Sequence, residues 1–156
     1  MGKTLIIIKP DAVQRRLIGR VVARFERKGL KIVGLKMMKV DESLAGKLYC
    51  VHEGKHFYEK LISFITSSPV VVLALEGKNV ISVARKLMGA TFGSQAEPGT
   101  IRGDFSMSNS FNIVHGSDSP ESVERELPLF FKAEDIVEWD CVDSNWVYDF
   151  SSGEPE

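Results

Sequence analysis

Cysteine is scarce in this sequence, with two residues in 156, Cys50 and Cys141. They have neither the density of a disulfide framework nor the spacing of a metal site, and they read as reduced thiols of a cytoplasmic protein. Long apolar runs are missing too. The longest, Val70–Leu75 and Leu5–Ile8, fall far short of the ~20 residues a membrane-spanning helix needs. Lys9-Pro10-Asp11 cuts off the first run before it reaches signal-peptide length, and Ile6 stands where a myristoylation motif on Gly2 needs Ser or Thr. No charge of one sign dominates: 20 Lys and Arg face 21 Asp and Glu, for a net charge of −1. That balance points away from nucleic acid and from anionic membranes, and leaves any anion binding to a few placed cations. The common nucleotide loops are also missing. There is no Gly-x-x-x-x-Gly-Lys-Ser/Thr and no Gly-x-Gly-x-x-Gly, and Gly103-Asp104-Phe105 is not the Asp-Phe-Gly of protein kinases.

What is present has ordinary globular proportions, 44% apolar and 26% charged, and no repeat or linker divides it. One domain over residues 1–156 is expected, with 151–156 as a frayed tail. Thr4–Lys9 reads as a buried strand ending at Pro10. Asp11 with Gln14 has capping-box spacing, Ile18, Val21, Val22 and Phe25 share a helical face, and Gly29 follows as a helix end. Leu30–Val40 reads as a strand, Asp41–Tyr49 and Phe57–Thr66 as helices, and Val70–Glu76 as a strand with no solvated face. Asn79 is a cap for a helix carrying Val80, Val83, Ala84 and Leu87. From Gly89 to about Phe111 the periodicity stops; unstructured stretches beyond ~12–15 residues within a compact domain are usually functional. A short strand is expected at Asn112–Val114. Ser119 and Pro120 open a last helix, with Asp118 and Glu121 at capping-box spacing and Val123 and Leu127 as buried contacts. The order β-α-β-(αα)-β-α-loop-β-α implies an α+β, ferredoxin-like (split βαβ) fold, an antiparallel four-stranded sheet covered by helices.

Three histidines are candidates for chemistry. His52 and His56 lie in a polar segment and read as solvated; Gly54 between them argues against a helical metal pair. His115 follows the glycine-containing loop and precedes a tight turn. Its position alone suits a core or turn histidine at least as well as a catalytic one. Imidazole, however, is largely neutral at a pKa of ~6.5 and suits nucleophilic or acid–base work. The His115-Gly116-Ser117-Asp118 quartet is no hydrolase triad, since such triads converge from distant segments. Lys9, Arg85 and Arg102 are each ordinary surface cations if taken singly. With a histidine they form the set phosphoryl transfer requires: a nucleophile, cations for the equatorial oxygens, and a metal brought by the nucleotide.

Ile8-Lys9-Pro10-Asp11 with Val13-Gln14-Arg15, Arg24-Phe25-Glu26, Lys28-Gly29, Pro98-Gly99-Thr100-Ile101-Arg102-Gly103-Asp104-Phe105 and Asn112-Ile113-Val114-His115-Gly116-Ser117-Asp118-Ser119 together resemble nucleoside diphosphate kinases. The likeness runs from about Thr4 to Tyr148 in the family's order. It implies ping-pong transfer of a γ-phosphoryl group, chiefly from ATP, to any nucleoside diphosphate through a phosphohistidine on His115. By the same resemblance Glu126 orients the imidazole and Tyr49 lies beside it. Lys9, Arg85, Thr91, Arg102 and Asn112 hold phosphates and ribose. Phe57, with Leu61 nearby, stacks on the base, and stacking without base-edge contacts implies broad base specificity. Mg²⁺ is implied as a bridge between β- and γ-oxygens, held mainly by the nucleotide. No protein metal ligand is assigned; Asp118 can reach the ion through water or serve only as a helix cap. Family members are hexamers or tetramers, and the ending Trp146-Val147-Tyr148 resembles the hexameric kind.

The chain departs from the family pattern at Phe92–Glu97, at Asn109-Ser110-Phe111 and at His56, which replaces a proline. None is a matched catalytic position. Two rival readings fare worse. An RNA-recognition module needs exposed aromatics on a central strand, and Val70–Glu76 has none. An inactive scaffold predicts damage at His115, Lys9, Arg102 or Glu126, and all four are intact.

Overall fold

The computed structural model describes residues 1–156. Its frame is one sheet of β1 (Gly2–Ile8), β2 (Lys31–Met38), β3 (Val70–Gly77) and β4 (Val114–Gly116) in the order β2-β3-β1-β4. Every neighbouring pair is antiparallel. β1 and β2 are therefore parallel with β3 between them, and β3 and β4 are parallel with β1 between them. These are the two interleaved split βαβ units of the ferredoxin-like fold expected from the order of elements.

The central strands are apolar along their length because both their faces are covered. On one face Ile6, Ile8, Leu73 and Leu75 meet Val21 and Phe25 of α2 (Ile18–Arg27) and Ala84 and Met88 of α5 (Val80–Met88). On the other, Leu5, Ile7, Val70 and Val72 meet Ala45 and Leu48 of α3 (Glu42–Leu48), Ile65 of α4 (Tyr58–Thr66) and Phe130 of α7 (Pro120–Phe130). Gly29, at φ +93°, ends α2 in a left-handed turn that most side chains resist. Its N–H reaches Glu26 O at 2.9 Å and that of Leu30 reaches Phe25 O at 3.1 Å, closing the helix C-terminus.

Several local expectations are corrected. The Asp11–Gln14 capping box does not form in α1 (Pro10–Gln14): Lys9 is the N-cap without a side-chain bond, Asp11 accepts the Ile113 amide, and Gln14 donates to Ser68. Asn79 does sit at the N-cap of α5, but at φ +53° its side chain makes no cap. The Gly89–Phe111 stretch contains the short helix α6 (Ile101–Phe105), opened by Thr100, whose Oγ1 accepts the Gly103 amide at 3.0 Å. The last strand is Val114–Gly116, two residues later than expected, so His115 lies mid-strand. In α7 the Ser119 cap and Pro120 hold as read. The buried stripe, however, is Ser122, Glu126 and Phe130, with Val123 and Leu127 half-buried, and Asp118 accepts from Ser122 Oγ instead of pairing with Glu121.

Beyond α7 the chain crosses the outer edge of β2, where Val137 N–H reaches Val33 O at 2.7 Å and Trp139 Nε1 reaches Ile32 O at 3.0 Å. The last residues are mostly exposed, with Lys78 donating to Pro155 O and Glu156 N–H to Asp149 O. No helix is long and apolar enough to cross a membrane.

Candidate active site

β4 carries the candidate nucleophile. Ile7 pairs directly with His115, so strand alternation places the imidazole on the face covered by α3 and α7. There it lies edge-on to Tyr49, the C-cap of α3, with ring centres 6.3 Å apart. Its Nε2 is 2.8 Å from Glu126 Oε2. Ser117 Oγ donates to the same oxygen at 2.8 Å, and Arg125 Nη2 donates to Oε1 at 3.1 Å. Burial pushes the Glu126 carboxyl up, but the hydrogen bond and charge of His115, with Ser117 and Arg125, outweigh it and hold it below the usual range. An ionised carboxylate only accepts, so Nε2 carries a hydrogen, and in the neutral ring the lone pair lies on Nδ1. No protein atom hydrogen-bonds to Nδ1. The His115 side chain is 20% exposed and that of Glu126 5%, so the pair is anchored from within and reachable from solvent.

Cations hold the main chain on both sides of His115. Arg102 is buried, and its fork spans the ends of the long loop: Nη1 to Gly89 O at 3.0 Å, Nε to Asn112 O at 3.1 Å and Nη2 to Val114 O at 2.7 Å. Arg85 Nη1 donates to Gly116 O at 3.3 Å. The carbonyls before and after His115 are thus each held by an arginine, which also covers an otherwise unpaired sheet edge. Lys9 Nζ donates to Asn112 Oδ1 at 2.7 Å. Burial and then the neighbouring Arg102 lower the Lys9 ammonium to about 8, against a smaller opposite pull from Asp11. Burial and then Arg85 lower the Arg102 guanidinium to about 10. Positive charges that penalise one another inside the protein define a place for a polyanion.

The remaining residues of interest surround this centre. Asn112 is buried, and its Nδ2 donates to the carbonyl of exposed Thr91 at 2.8 Å. Tyr49 is buried, and burial followed by the Glu126 charge pushes its phenol well up, so it stays protonated. Phe57, half-buried at the start of α4, has the rings of His52 and His56 each 5.3 Å away, and Leu61 lies one turn further on. His52 connects this aromatic group to Tyr49, with ring centres 6.3 Å apart. His52 is therefore half-buried beside the site, whereas His56 is exposed as expected.

Sequence reading overlooked Ser117 and Arg125 as holders of Glu126. A strand placed at its true position would have revealed Ser117, two residues beyond His115 and on the same face. It also missed the strain at Ile113. This β-branched residue has φ +73°, and Val114 N–H bonds to Asn112 O at 2.8 Å, so a tight γ-turn precedes the histidine strand. Such backbone costs of order 1–3 kcal/mol unless its surroundings impose it. Next to this turn Arg102 is buried and Asp104 pairs with Arg24 and the Gly99 amide, which fixes the loop's end within the fold.

Cleft volume does not locate the chemistry. A cleft of about 480 Å³ lies between the C-terminal segment and β2, at the opposite edge of the sheet from His115.

A family model described as nucleoside diphosphate kinase matches residues 2–136. The nucleoside diphosphate kinase of Roseiflexus sp. (strain RS-1) is 52% identical over 149 residues, covering 96% of this chain and 100% of that protein. That of Bacillus licheniformis is 53% identical over 148 residues, 95% of this chain and all of the relative. Among solved structures, a halophilic nucleoside diphosphate kinase from Halobacterium salinarum in complex with CDP superposes with a TM-score of 0.93 at 48% identity, covering 95% and 99% of the two chains. The Borrelia burgdorferi nucleoside-diphosphate kinase, a transition state mimic with bound vanadate and ADP, gives 0.86 at 44% identity, covering 91% and 94%. The fold and these likenesses define a phosphotransferase. The chain belongs to the nucleoside diphosphate kinase family.

Proposed function

We propose that the protein moves the γ-phosphoryl group of a nucleoside triphosphate, chiefly ATP, to a nucleoside diphosphate by way of His115. The observation that carries this reading is an imidazole held through Nε2 by Glu126, with Nδ1 unpartnered, beside the cations Lys9, Arg85 and Arg102. In the first half-reaction the Nδ1 lone pair forms a P–N bond while the bond from the γ-phosphorus to the bridging oxygen breaks, and the diphosphate leaves with that electron pair. Glu126 stabilises the positive charge arising on the ring through Nε2–H. In the second half-reaction a terminal oxygen of the acceptor diphosphate attacks the phosphorus, and the P–N bond breaks back to a neutral imidazole. Arg102, Arg85 and Lys9 oppose charge on the transferring oxygens.

Phe57 and Leu61 form the base platform of this proposal, and Thr91 and Asn112 line the phosphate and ribose path. The half-exposed ring of Phe57 supports stacking that tolerates different bases and sugars. Mg²⁺ belongs to the proposal as an ion that would arrive on the nucleotide and would offset phosphate charge. The donor set suits that role: no group of three or more His, Cys, Asp or Glu could cage a metal, and Asp118 is an exposed carboxylate near His115 and Arg85. Cytoplasmic location is supported by the two free thiols.

Initial rates with ATP and GDP both varied test the reading: parallel double-reciprocal lines support an enzyme-bound intermediate, and intersecting lines refute it. Lys9 adds a pH prediction. Its ammonium must be charged to hold phosphate, so kcat/KM for the triphosphate falls as pH rises through about 8. Lys9→Arg shifts that alkaline limb upward, and an unmoved limb assigns it to another group.

Assembly of copies, as a hexamer in preference to a tetramer, completes the proposal. Leu35 and Met37 on edge strand β2 and Met107 on the long loop are exposed apolar side chains that favour association. Sedimentation equilibrium is expected to give a six-chain mass; a monomer or tetramer contradicts it.

A further inference from the structure

The γ-turn at Asn112-Ile113-Val114 is held more firmly than its size requires. Lys9 N–H donates to Ile113 O at 2.8 Å, and Arg102 donates to Asn112 O and Val114 O on either side. The Ile113 amide, turned out of the β ladder by its positive φ, donates to Asp11 Oδ2 at 3.1 Å. Ile113 is completely buried, so this amide has no water to replace a lost acceptor. Asp11 makes an odd partner if stability alone is considered: its other oxygen, Oδ1, is buried and without any hydrogen bond. A half-satisfied carboxylate is an inefficient way to secure one amide unless the location of that amide matters.

We propose that Asp11 is a positioning residue: by accepting the Ile113 amide it holds the strained turn two residues before His115, and so sets where Nδ1 meets the phosphoryl group. Without the clamp, Ile113 relaxes toward ordinary β geometry, and the register of Val114–Gly116 on β1 shifts with it. The imidazole then leaves its line with Glu126 Oε2, while Phe57 and Arg85, carried on other elements, still bind nucleotide. This inference rests on the phosphohistidine reading of His115.

Two variants of the full chain separate acceptor position from charge. Asp11→Asn keeps a carbonyl oxygen at the same reach and removes the charge; Asp11→Glu keeps the charge and displaces the acceptor by one methylene. Rapid-quench phosphorylation with labelled ATP and Mg²⁺, an ADP Kd, and hydrogen exchange at the Ile113 amide are measured on each. At a pH of about 6.5, where Lys9 stays charged without the pull of Asp11, Asp11→Asn is expected to phosphorylate within about threefold of the unchanged protein, with the amide still protected. Asp11→Glu is expected to phosphorylate about 100-fold more slowly, the scale of a misplacement near 1 Å, with ADP affinity weakened by less than about tenfold and rapid Ile113 exchange. A full-rate Asp11→Glu protein overturns the proposal, as does an Asp11→Asn protein as slow as the Glu variant, because charge would then be the cause. An Ile113 amide that exchanges freely in the unchanged protein overturns it as well. If the unchanged protein accepts no phosphoryl group, the reading of His115 fails, and amide exchange across the two variants still decides whether Asp11 clamps the turn.

Discussion

His115→Ala is expected to abolish phosphoryl transfer, with ADP still binding within about threefold of its normal affinity. The nucleophile disappears, but Arg85, Arg102, Lys9 and Phe57 are held by contacts that do not involve the imidazole. Glu126 keeps Ser117 and Arg125 as donors, so the fold survives at a cost of about 1.5–3 kcal/mol for the lost hydrogen bond to a charged group. A variant that loses nucleotide binding along with transfer would show that the histidine is structural. Isothermal titration with ADP beside a transfer assay distinguishes the two.

Arg102→Ala has the second largest expected effect, and it has two components. Turnover should fall by about 10³-fold, the low end for removing an arginine that stabilises transferring phosphate. Stability should fall as well, because the Gly89, Asn112 and Val114 carbonyls lose the donors that tie the loop to the histidine strand. Asn112 O keeps the Val114 amide, and the Gly89 and Val114 carbonyls left without a donor each cost about 1–3 kcal/mol. Arg102→Lys separates the components: it keeps a charge near the phosphate but cannot reach three carbonyls with one ammonium. The Lys variant is expected to recover part of the turnover while unfolding at nearly as low a temperature as the Ala variant. If turnover and nucleotide affinity fall equally in Arg102→Ala, the residue holds ground state and transition state alike, and the transition-state role is wrong.

The parts of this molecule that were legible in the sequence are those whose signal is local. β1 and β3 stand out because burial on both faces demands unbroken apolar runs, and Gly29 stands out because a left-handed helix end favours glycine. Ser119-Pro120 was readable for the same reason. Asp11 was misread because its spacing to Gln14 looks like a cap, whereas its partner lies 102 residues away in the chain. The last strand was placed two residues early because Asn112-Ile113-Val114 has a strand's composition. The turn at Ile113 is imposed by Lys9, Asp11 and Arg102, none of them a neighbour in sequence.

Much of the candidate site came from likeness and not from pattern. Nothing in the helical periodicity of α7 singles out Glu126; a buried glutamate on a helix face contradicts the usual apolar stripe, which is why Val123 and Leu127 were expected there. The likeness paired Glu126 with His115, and the structure places them 2.8 Å apart. Arg102 was read as a phosphate cation only. Its three bonds to main-chain carbonyls show that the guanidinium also shapes the loop, a use that no short motif encodes.

The central claim is a phosphorylated His115 lying between donor and acceptor, and a two-step label transfer tests it most directly. The protein is incubated with γ-labelled ATP and Mg²⁺, freed of nucleotide, and then given GDP. The account predicts label that stays on the protein, is acid-labile and alkali-stable, and passes quantitatively to GTP. Nucleotide binding without protein-bound label would contradict it.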